Sequence, residues 1–267
     1  MLELIVMERT FRTARSRTIA SAIVLAGLLP SGAISASATK SVPQSTLQEI
    51  VASLARTEQS KQSDLQSFSS TRRYVLKNAR FNQDAEMMVR MDFTSQKGKH
   101  FEILAEHGTE GFSRRLLKKV LDGEAETSRT QAKEFSKVTA QNYDFRLLGS
   151  EMHSGQQCYV LEIKPKVKSK YLLDGKVWVD SGDFQLVRME GRTAASLSFW
   201  VGKPYIVYDF QKVGDFWLVA RNQAVTNARF IGTTQLTIEI LGYELQPGHH
   251  EKLALEKLPQ LRAIDSF

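Results

Sequence analysis

The sequence contains only one cysteine, Cys158, so no disulfide bond can form within the chain. A scaffold held together by crosslinks is thereby excluded, and a chain of 267 residues is long enough to bury an apolar core without them. We expect Cys158 to pack as a small residue on a strand, because free cysteine is among the most buried residue types. A reactive or dimerising thiol is the alternative for this residue.

The sequence also lacks the common motifs of catalysis, nucleotide binding and metal binding. Neither G-x-S-x-G, nor G-x-G-x-x-G, nor a Walker loop occurs, and no two of the five histidines have the H-E-x-x-H spacing. Asp180 and Asp183 flank Ser181-Gly182, but a D-S-G-D segment is more typical of a hairpin turn than of a catalytic carboxylate pair. We therefore predict no enzyme activity, no cofactor and no metal site.

The first 38 residues have the pattern of a secretory signal peptide. Four arginines between residues 9 and 17 are followed by an apolar run at 19–29 and by the small residues Ala36-Ser37-Ala38. The run is shorter than the ~20 residues that a bilayer-spanning helix needs, which disfavours the alternative of a membrane anchor. We expect cleavage near Ala38 and export to the periplasm, because an exported chain without disulfides indicates a bacterial envelope more than a secreted eukaryotic scaffold. Export disfavours nucleic acid as a partner, although the net charge is +7.

Two segments have the apolar spacing of helices. The first is expected to begin at Ser45 or Thr46, with Glu49 completing a capping box. The second lies between about residues 111 and 139, where Asp122-Gly123 interrupts the pattern and favours two short helices over one. Apolar residues of both segments are expected to face inward as a lid: Leu47, Ile50, Leu54, Leu116, Leu117 and Val120.

Most of the remaining chain has the two-residue alternation of half-buried strands, at 87–94, at 101–106 and repeatedly between 143 and 245. Tyr74 and Leu76 suggest a further strand before the first of these. Asp174-Gly175 and other turn residues mark short connectors, and short connectors predict antiparallel neighbours. Roughly ten strands rarely stay as one flat open sheet. The predicted fold is therefore mainly β with α (α+β), a curved antiparallel sheet or incomplete β-barrel of roughly ten strands closed by a helical lid.

One apolar face of this sheet is the candidate binding site. Its residues would either fill a dry core or line a space for an apolar ligand, and the alternation alone leaves both interpretations open. The candidates are Met87, Val89, Met91, Phe93, Phe101, Ile103, Leu236, Ile238 and Ile240.

Several segments of the second half occur in an order that is found in a known family. They read YVLEIKP at 159–165, GKVWVD at 175–180 and LVRMEG at 186–191, followed by Phe199-Trp200 and by VGDFWL at 213–218. Together they resemble the outer-membrane lipoprotein-sorting family of LolA-like periplasmic proteins, over about residues 45–245. The resemblance implies a half-open antiparallel barrel, helices that close its mouth, and a cavity that accepts acyl chains of lipids or lipoproteins.

The resemblance has one departure. Classical carriers of the family have an arginine in an R-P-x-x-F-R-W-like strand that holds the lid closed. The corresponding segment at 87–103 reads MMVRMDFTSQKGKHFEI and lacks that motif, and Arg90 is its candidate substitute. This departure favours a divergent relative over a true lipoprotein shuttle.

These observations predict a signal peptide at 1–38, a LolA-like lipid-binding domain at 39–245 and a C-terminal tail at 246–267. The predicted function is a monomeric periplasmic carrier or chaperone for acyl chains of lipids or lipoproteins, with an inner- or outer-membrane envelope protein as its further partner. The alternative is an envelope sensor or protein-interaction domain that uses the same fold without lipid transfer.

Overall fold

The computed structural model describes residues 46–78, 83–108, 111–129, 136–197, 202–228 and 232–245. The segments at 1–38 and 246–267, and the Phe199-Trp200 pair, lie outside these residues. The described helices are α1 (Leu47–Asp64) and α2 (Phe112–Arg129). The described strands are β1 (Ser67–Asn78), β2 (Gln83–Thr94), β3 (Gly98–His107), β4 (Tyr143–His153), β5 (Gln156–Pro165), β6 (Leu173–Asp180), β7 (Leu186–Thr193), β8 (Tyr205–Val213), β9 (Phe216–Ala228) and β10 (Gly232–Leu245).

The described strands form one antiparallel sheet in the order β3-β2-β1-β10-β9-β8-β7-β6-β5-β4. Strands β1 to β3 and strands β4 to β10 are two meanders of sequential neighbours, as predicted. The pairing of β1 with β10, which places Tyr74 beside Ile238, joins the two meanders into one sheet. Within the described chain β3 and β4 each have a single neighbour, so the sheet is not closed. The prediction of a mainly β, curved and incomplete antiparallel structure is confirmed.

Both helices lie on the same face of the sheet. Leu236 pairs with Leu76 on one side and with Ala224 on the other, and directly paired residues point to the same face. Leu76 and Leu236 belong to the buried apolar group that contacts α2, whereas Ala224 belongs to the group that contacts α1. Helix α1 therefore covers the β4–β9 half of this face, and α2 covers the half formed by β1, β2, β3 and β10. Neither described helix is long and apolar enough to cross a bilayer.

Helix α1 begins where its sequence predicts. The hydroxyl of Thr46 accepts a hydrogen bond from the backbone N–H of Glu49 at 3.3 Å, and the Glu49 carboxylate accepts one from the backbone N–H of Thr46 at 2.8 Å. This reciprocal capping box satisfies two backbone donors that the first turn leaves without helical partners. The cap residue is thus Thr46.

Helix α2 is continuous, so the prediction of two short helices around Asp122-Gly123 is wrong. A glycine inside a helix costs about 1 kcal/mol relative to alanine, which is small compared with the burial of neighbouring side chains. Gly123 is buried against the sheet, between the buried residues Leu121 and Glu124. Helix α2 ends at Arg129, and Val138 is packed in the apolar group beneath α1 without being helical.

Gly175 does not lie in a turn, so the prediction for Asp174-Gly175 is also wrong. Gly175 lies within β6 and pairs with Gly191 of β7. A Cβ atom at Gly175 would overlap the carbonyl oxygen of Glu190 and would lie 2.6 Å from the Cα of Gly191. The glycine is therefore needed for the close approach of two strand backbones.

We expect Gly175→Ala to lower the free energy of unfolding by about 1–3 kcal/mol, because the added methyl group must push β6 and β7 apart. Urea unfolding followed by circular dichroism measures the change. Gly242→Ala is the matched control, since a Cβ at Gly242 in β10 would meet no atom within 4 Å. Equal stabilities of the two variants would contradict the close-approach interpretation.

Cys158 lies on β5 and is fully buried, as predicted for a packed small residue. It belongs to a small apolar group with Val160 and Trp178. These side chains alternate with Leu161 and Val179, so they lie on the face opposite the helices. Burial raises the pKa of the Cys158 thiol to about 11, which keeps it protonated near neutral pH.

Candidate functional site

The predicted cavity residues lie mainly in a buried row beneath helix α2. Fully or almost fully buried are Met87, Val89, Met91, Leu236, Ile238 and Ile240. Phe93 and Phe101 are half-buried. Ile103 is 37% exposed, because it lies on the edge strand β3 at an irregularity where Val89 pairs with Ile103 after Met88 pairs with Ala105. The structure thus brings most of the predicted set together and leaves Ile103 at the rim.

The predicted lid residues divide between two apolar groups. Ile50 and Leu54 are fully buried in the group beneath α1, and Leu47 packs against it. Leu117 and Val120 are buried beneath α2, where Leu116 packs partly. We use the name α2 cluster for this second group, which consists of Tyr74, Leu76, Ala85, Met87, Val89, Leu117, Val120, Leu121, Leu236, Ile238 and Ile240.

A charged network lies under α2 beside the α2 cluster. The Glu124 side chain is fully buried, and its Oε2 atom lies 3.1 Å from Arg72 Nη1 and 3.1 Å from Lys99 Nζ. The hydroxyl of Tyr74 donates a hydrogen bond of 3.0 Å to Glu124 Oε1. Arg72 also donates from Nε to the hydroxyl of Ser70 at 2.9 Å. We call Arg72, Tyr74, Lys99 and Glu124 the Glu124 network.

The local sequence explains how these groups meet. Arg72 precedes Tyr74 by two residues on β1, so both side chains point to the helix-covered face. Lys99 precedes Phe101 by two residues on β3. Glu124 follows Leu121 by three residues, which places it on the inner side of α2. Several kcal/mol of desolvation oppose the burial of each charge, so these ions depend on one another for neutralisation.

The Glu124 network is absent from the sequence-based site. The one sequence feature that could have indicated the network is Arg72. It is an arginine on the face that alternation predicts to be apolar, in the row Phe68, Ser70, Arg72, Tyr74 and Leu76. The prediction of a helix break at Gly123 removed Glu124 from the inner stripe of the helix. Only the continuous α2 places the carboxylate over β1.

Arg90, the candidate substitute for the lid-holding arginine, does not contact either helix through a described polar contact. It alternates with Val89 and Met91 and therefore points to the opposite face. Its Nη2 atom lies 3.1 Å from Glu244 Oε2, and its Nε atom lies 3.3 Å from Asp92 Oδ1. The hydrogen bond to Glu244, with smaller effects of Asp92, raises the pKa of Arg90. An arginine of the sheet that does contact α2 is Arg72, through Glu124.

Helix α2 is attached to the β2–β3 turn at its C-terminal end. Ser128 Oγ accepts a hydrogen bond of 2.8 Å from the backbone N–H of Lys99, and Arg129 Nε donates one of 2.9 Å to the carbonyl of Lys97. Between them, Gly98 adopts a φ of +73°, and a Cβ there would lie 2.7 Å from Arg129 Cγ. At the other end, the left-handed glycines Gly108 and Gly111 flank the connection from β3.

A second surface feature is a polar cleft with a volume of about 630 Å³ between α1 and two turns. Arg56 and Lys61 of α1 and Asp183 of the β6–β7 connection are among its lining residues. Hydrogen bonds from Lys212 and from Trp217 lower the pKa of Asp183. Asp180 Oδ1 accepts hydrogen bonds from the backbone N–H groups of Gly182 and Asp183, which confirms the D-S-G-D segment as a turn.

The described residues offer no group of three or more His, Cys, Asp or Glu side chains that could hold a metal ion. The adjacent pair His249-His250 lies outside the described residues.

A family model described as "Uncharacterized protein" matches residues 113–252. No curated protein matches the chain. Among solved structures, a LolA superfamily protein from Nitrosomonas europaea is 13% identical, with a TM-score of 0.40 and coverage of 78% of this chain and 97% of that one. A domain from Vibrio parahaemolyticus, described as a candidate outer membrane lipoprotein-sorting protein, is 12% identical, with a TM-score of 0.37 and coverage of 77% and 96%.

A chain of the MucA/MucB complex from Pseudomonas aeruginosa is 10% identical, with a TM-score of 0.25 and coverage of 74% of this chain and 99% of that one. The structures found thus include proteins of the family that the sequence resembles.

Proposed function

The chain belongs to the family of uncharacterised proteins whose model matches residues 113–252, and we propose that it is a non-enzymatic carrier that binds acyl chains beneath helix α2. The acyl chains are those of lipids or lipoproteins, and the site is the apolar row of β1, β2 and β10. With the signal-peptide pattern at 1–38, the carrier would act in the periplasm and exchange its ligand with an envelope membrane protein.

The single observation that carries this proposal is the composition of the α2 cluster. The sheet contributes a row of large apolar side chains from three adjacent strands, including Met87, Val89 and Ile238, and within the part of the chain that the structure describes α2 covers their outer side. A helix that moved away would leave this row open to an acyl chain. Each methylene group buried there would contribute about 0.8 kcal/mol to binding.

The inner side of α2 supports such a movement. Leu117, Val120 and Leu121 are apolar, but the buried side chains nearer the C-terminal end, those of Glu124 and Thr127, are polar. The C-terminal end of the helix is hydrogen-bonded to the β2–β3 turn, whereas glycines precede its N-terminal end. We infer that α2 moves off the sheet as a unit, with Gly108 and Gly111 absorbing the change in backbone direction at its N-terminal end and the hydrogen bonds of Ser128 and Arg129 breaking at its C-terminal end.

Val89→Trp is expected to weaken the binding of a fluorescent fatty acid by about tenfold or more, because the indole would occupy the acyl-chain site. The replacement also overpacks the closed state and should lower the free energy of unfolding by about 1–3 kcal/mol. Probe titration at a temperature where circular dichroism shows a folded protein measures the first effect.

Val177→Trp is the matched control. Val177 is equally buried but lies in the apolar group beneath α1, so this variant should lose similar stability and keep its affinity for the probe. Equal loss of binding in both variants would contradict a site beneath α2, and absence of probe binding by the parent protein would contradict the carrier itself.

The open edges of the sheet favour a second candidate function, a protein-interaction domain of the envelope. In the described chain the outer sides of β3 and β4 carry no paired strand, and Leu104 and Met152 are 52% and 62% exposed. An extended partner segment could add to such an edge through backbone hydrogen bonds. Organic extraction of protein purified from its envelope separates the two functions, since a carrier should release lipid and an interaction domain should not.

A further inference from the structure

We propose that Arg72, Lys99 and Tyr74 form the binding site for the carboxylate head group of the acyl ligand, and that Glu124 occupies this site when α2 is closed. The ligand class is an amphiphile with a carboxylate at the end of its acyl chain, such as a long-chain fatty acid. This inference rests on the proposed carrier function and narrows its ligand.

The geometry around Glu124 is that of a bound carboxylate. One oxygen receives the Tyr74 hydroxyl at 3.0 Å, and the other lies 3.1 Å from both a guanidinium and an ammonium nitrogen. Three donors on the sheet thus converge on two oxygens that belong to the helix. Because the donors are on β1 and β3 and the acceptor is on α2, lifting the helix removes the carboxylate and leaves its donors in place.

A carboxylate from outside would then satisfy the same groups. Arg72 is 2% exposed, and the loss of a charged partner from a buried guanidinium is strongly disfavoured. An incoming fatty acid would restore the charge pair that the departing Glu124 breaks, while its chain would lie along the apolar row. A neutral amphiphile would cover the apolar row and leave the cations without that anion.

Lys99 lies where the head group would enter the site. Its side chain is 18% exposed, whereas those of Arg72 and Glu124 are almost fully buried. Lys99 is thus the member of the Glu124 network that an anion from solvent would meet first. Long-range attraction between Lys99 and the ligand carboxylate would guide the head group inward.

The test compares dodecanoate with dodecanol at pH 8, below the concentration at which either aggregates, by isothermal titration calorimetry. The parent protein should bind the acid about tenfold more tightly than the alcohol, since charged hydrogen bonds are the stronger ones. Lys99→Met should reduce this preference to about twofold or less, and Glu124→Gln, which removes the competing carboxylate, should increase it.

Lys118→Met is the control for net charge, because Lys118 is exposed on the outer side of α2 and should leave the preference unchanged. Lys99→Met has the smaller folding risk, since Lys99 is the most exposed member of the Glu124 network, and melting curves identify any variant that unfolds. If Lys99→Met and Glu124→Gln leave the preference as it is in the parent, or if the parent binds acid and alcohol equally, the head-group site is overturned and the carrier function stands. If the parent binds neither compound, both proposals fail.

Discussion

Glu124→Ala is expected to lower the free energy of unfolding by about 3–5 kcal/mol, the largest single-residue effect that we expect in this protein. The side chain is fully buried and lies 3.1 Å from Arg72 and from Lys99. Its removal leaves a buried guanidinium and a half-buried ammonium without this counter-ion, and breaking a buried ion pair from one side has an effect of that size.

Urea unfolding measures this change, and Glu126→Ala is its control. Glu126 lies two residues further along α2 and is exposed, so its removal should change stability by about 0.5 kcal/mol or less. The double replacement Arg72→Met with Glu124→Leu should recover most of the loss, because apolar pairs often substitute for buried ion pairs without net destabilisation. If the Glu124→Ala protein were as stable as the Glu126→Ala protein, the side chains of Arg72 and Lys99 would be solvated, and α2 would not exclude water from them.

Leu54→Ala is expected to lower the free energy of unfolding by about 2–5 kcal/mol. Leu54 lies on α1 and is fully buried within the largest apolar group described, which includes residues of β4 to β9. Truncation removes the transfer free energy of the lost methyl groups and leaves a cavity that rigid strands cannot fill. Helix α1 would retain its polar attachments, such as the 2.9 Å hydrogen bond from Thr57 Oγ1 to the carbonyl of Phe184.

Thermal and urea unfolding of Leu54→Ala and Leu148→Ala together test this expectation. Leu148 lies on the edge strand β4 and is 40% exposed, so the same truncation there should cost about 1 kcal/mol or less. Similar losses at the two positions would mean that α1 is only loosely packed on the sheet. The probe affinity of Leu54→Ala should be that of the parent protein, because the proposed ligand site lies beneath α2.

Much of the fold was predictable because its signals are local. Alternation along a strand and the capping box at Thr46 depend on residues within a few positions of one another, and the strands and α1 were located from them. The predictions were wrong where residues distant in the sequence determine the local structure. In the sequence alone Gly123 indicates a helix break, but in the folded protein it is buried within a continuous helix. Gly175 likewise indicates a turn, but in the folded protein it lies opposite Gly191 in a pair of strands.

The candidate site was predictable in part for the same reason. The row that includes Met87, Val89 and Ile238 follows from alternation, since a strand sends every second side chain to one face. Arg72 follows the same alternation, but the sequence alone does not show what an arginine in an apolar row would bind. The partner, Glu124, is 52 residues away along the chain.

Local pattern in the chain was therefore sufficient for the class of fold, for the helices and strands, and for the apolar face of the sheet. The tertiary structure was required to identify the strand order and the charged residues of the site. The contact between β1 and β10 joins segments more than 150 residues apart, and it is this contact that builds the row beneath α2 from both ends of the domain. Burial in that row gives Arg72, Lys99 and Glu124 their importance, because a charge pair contributes little in water and much where water is excluded.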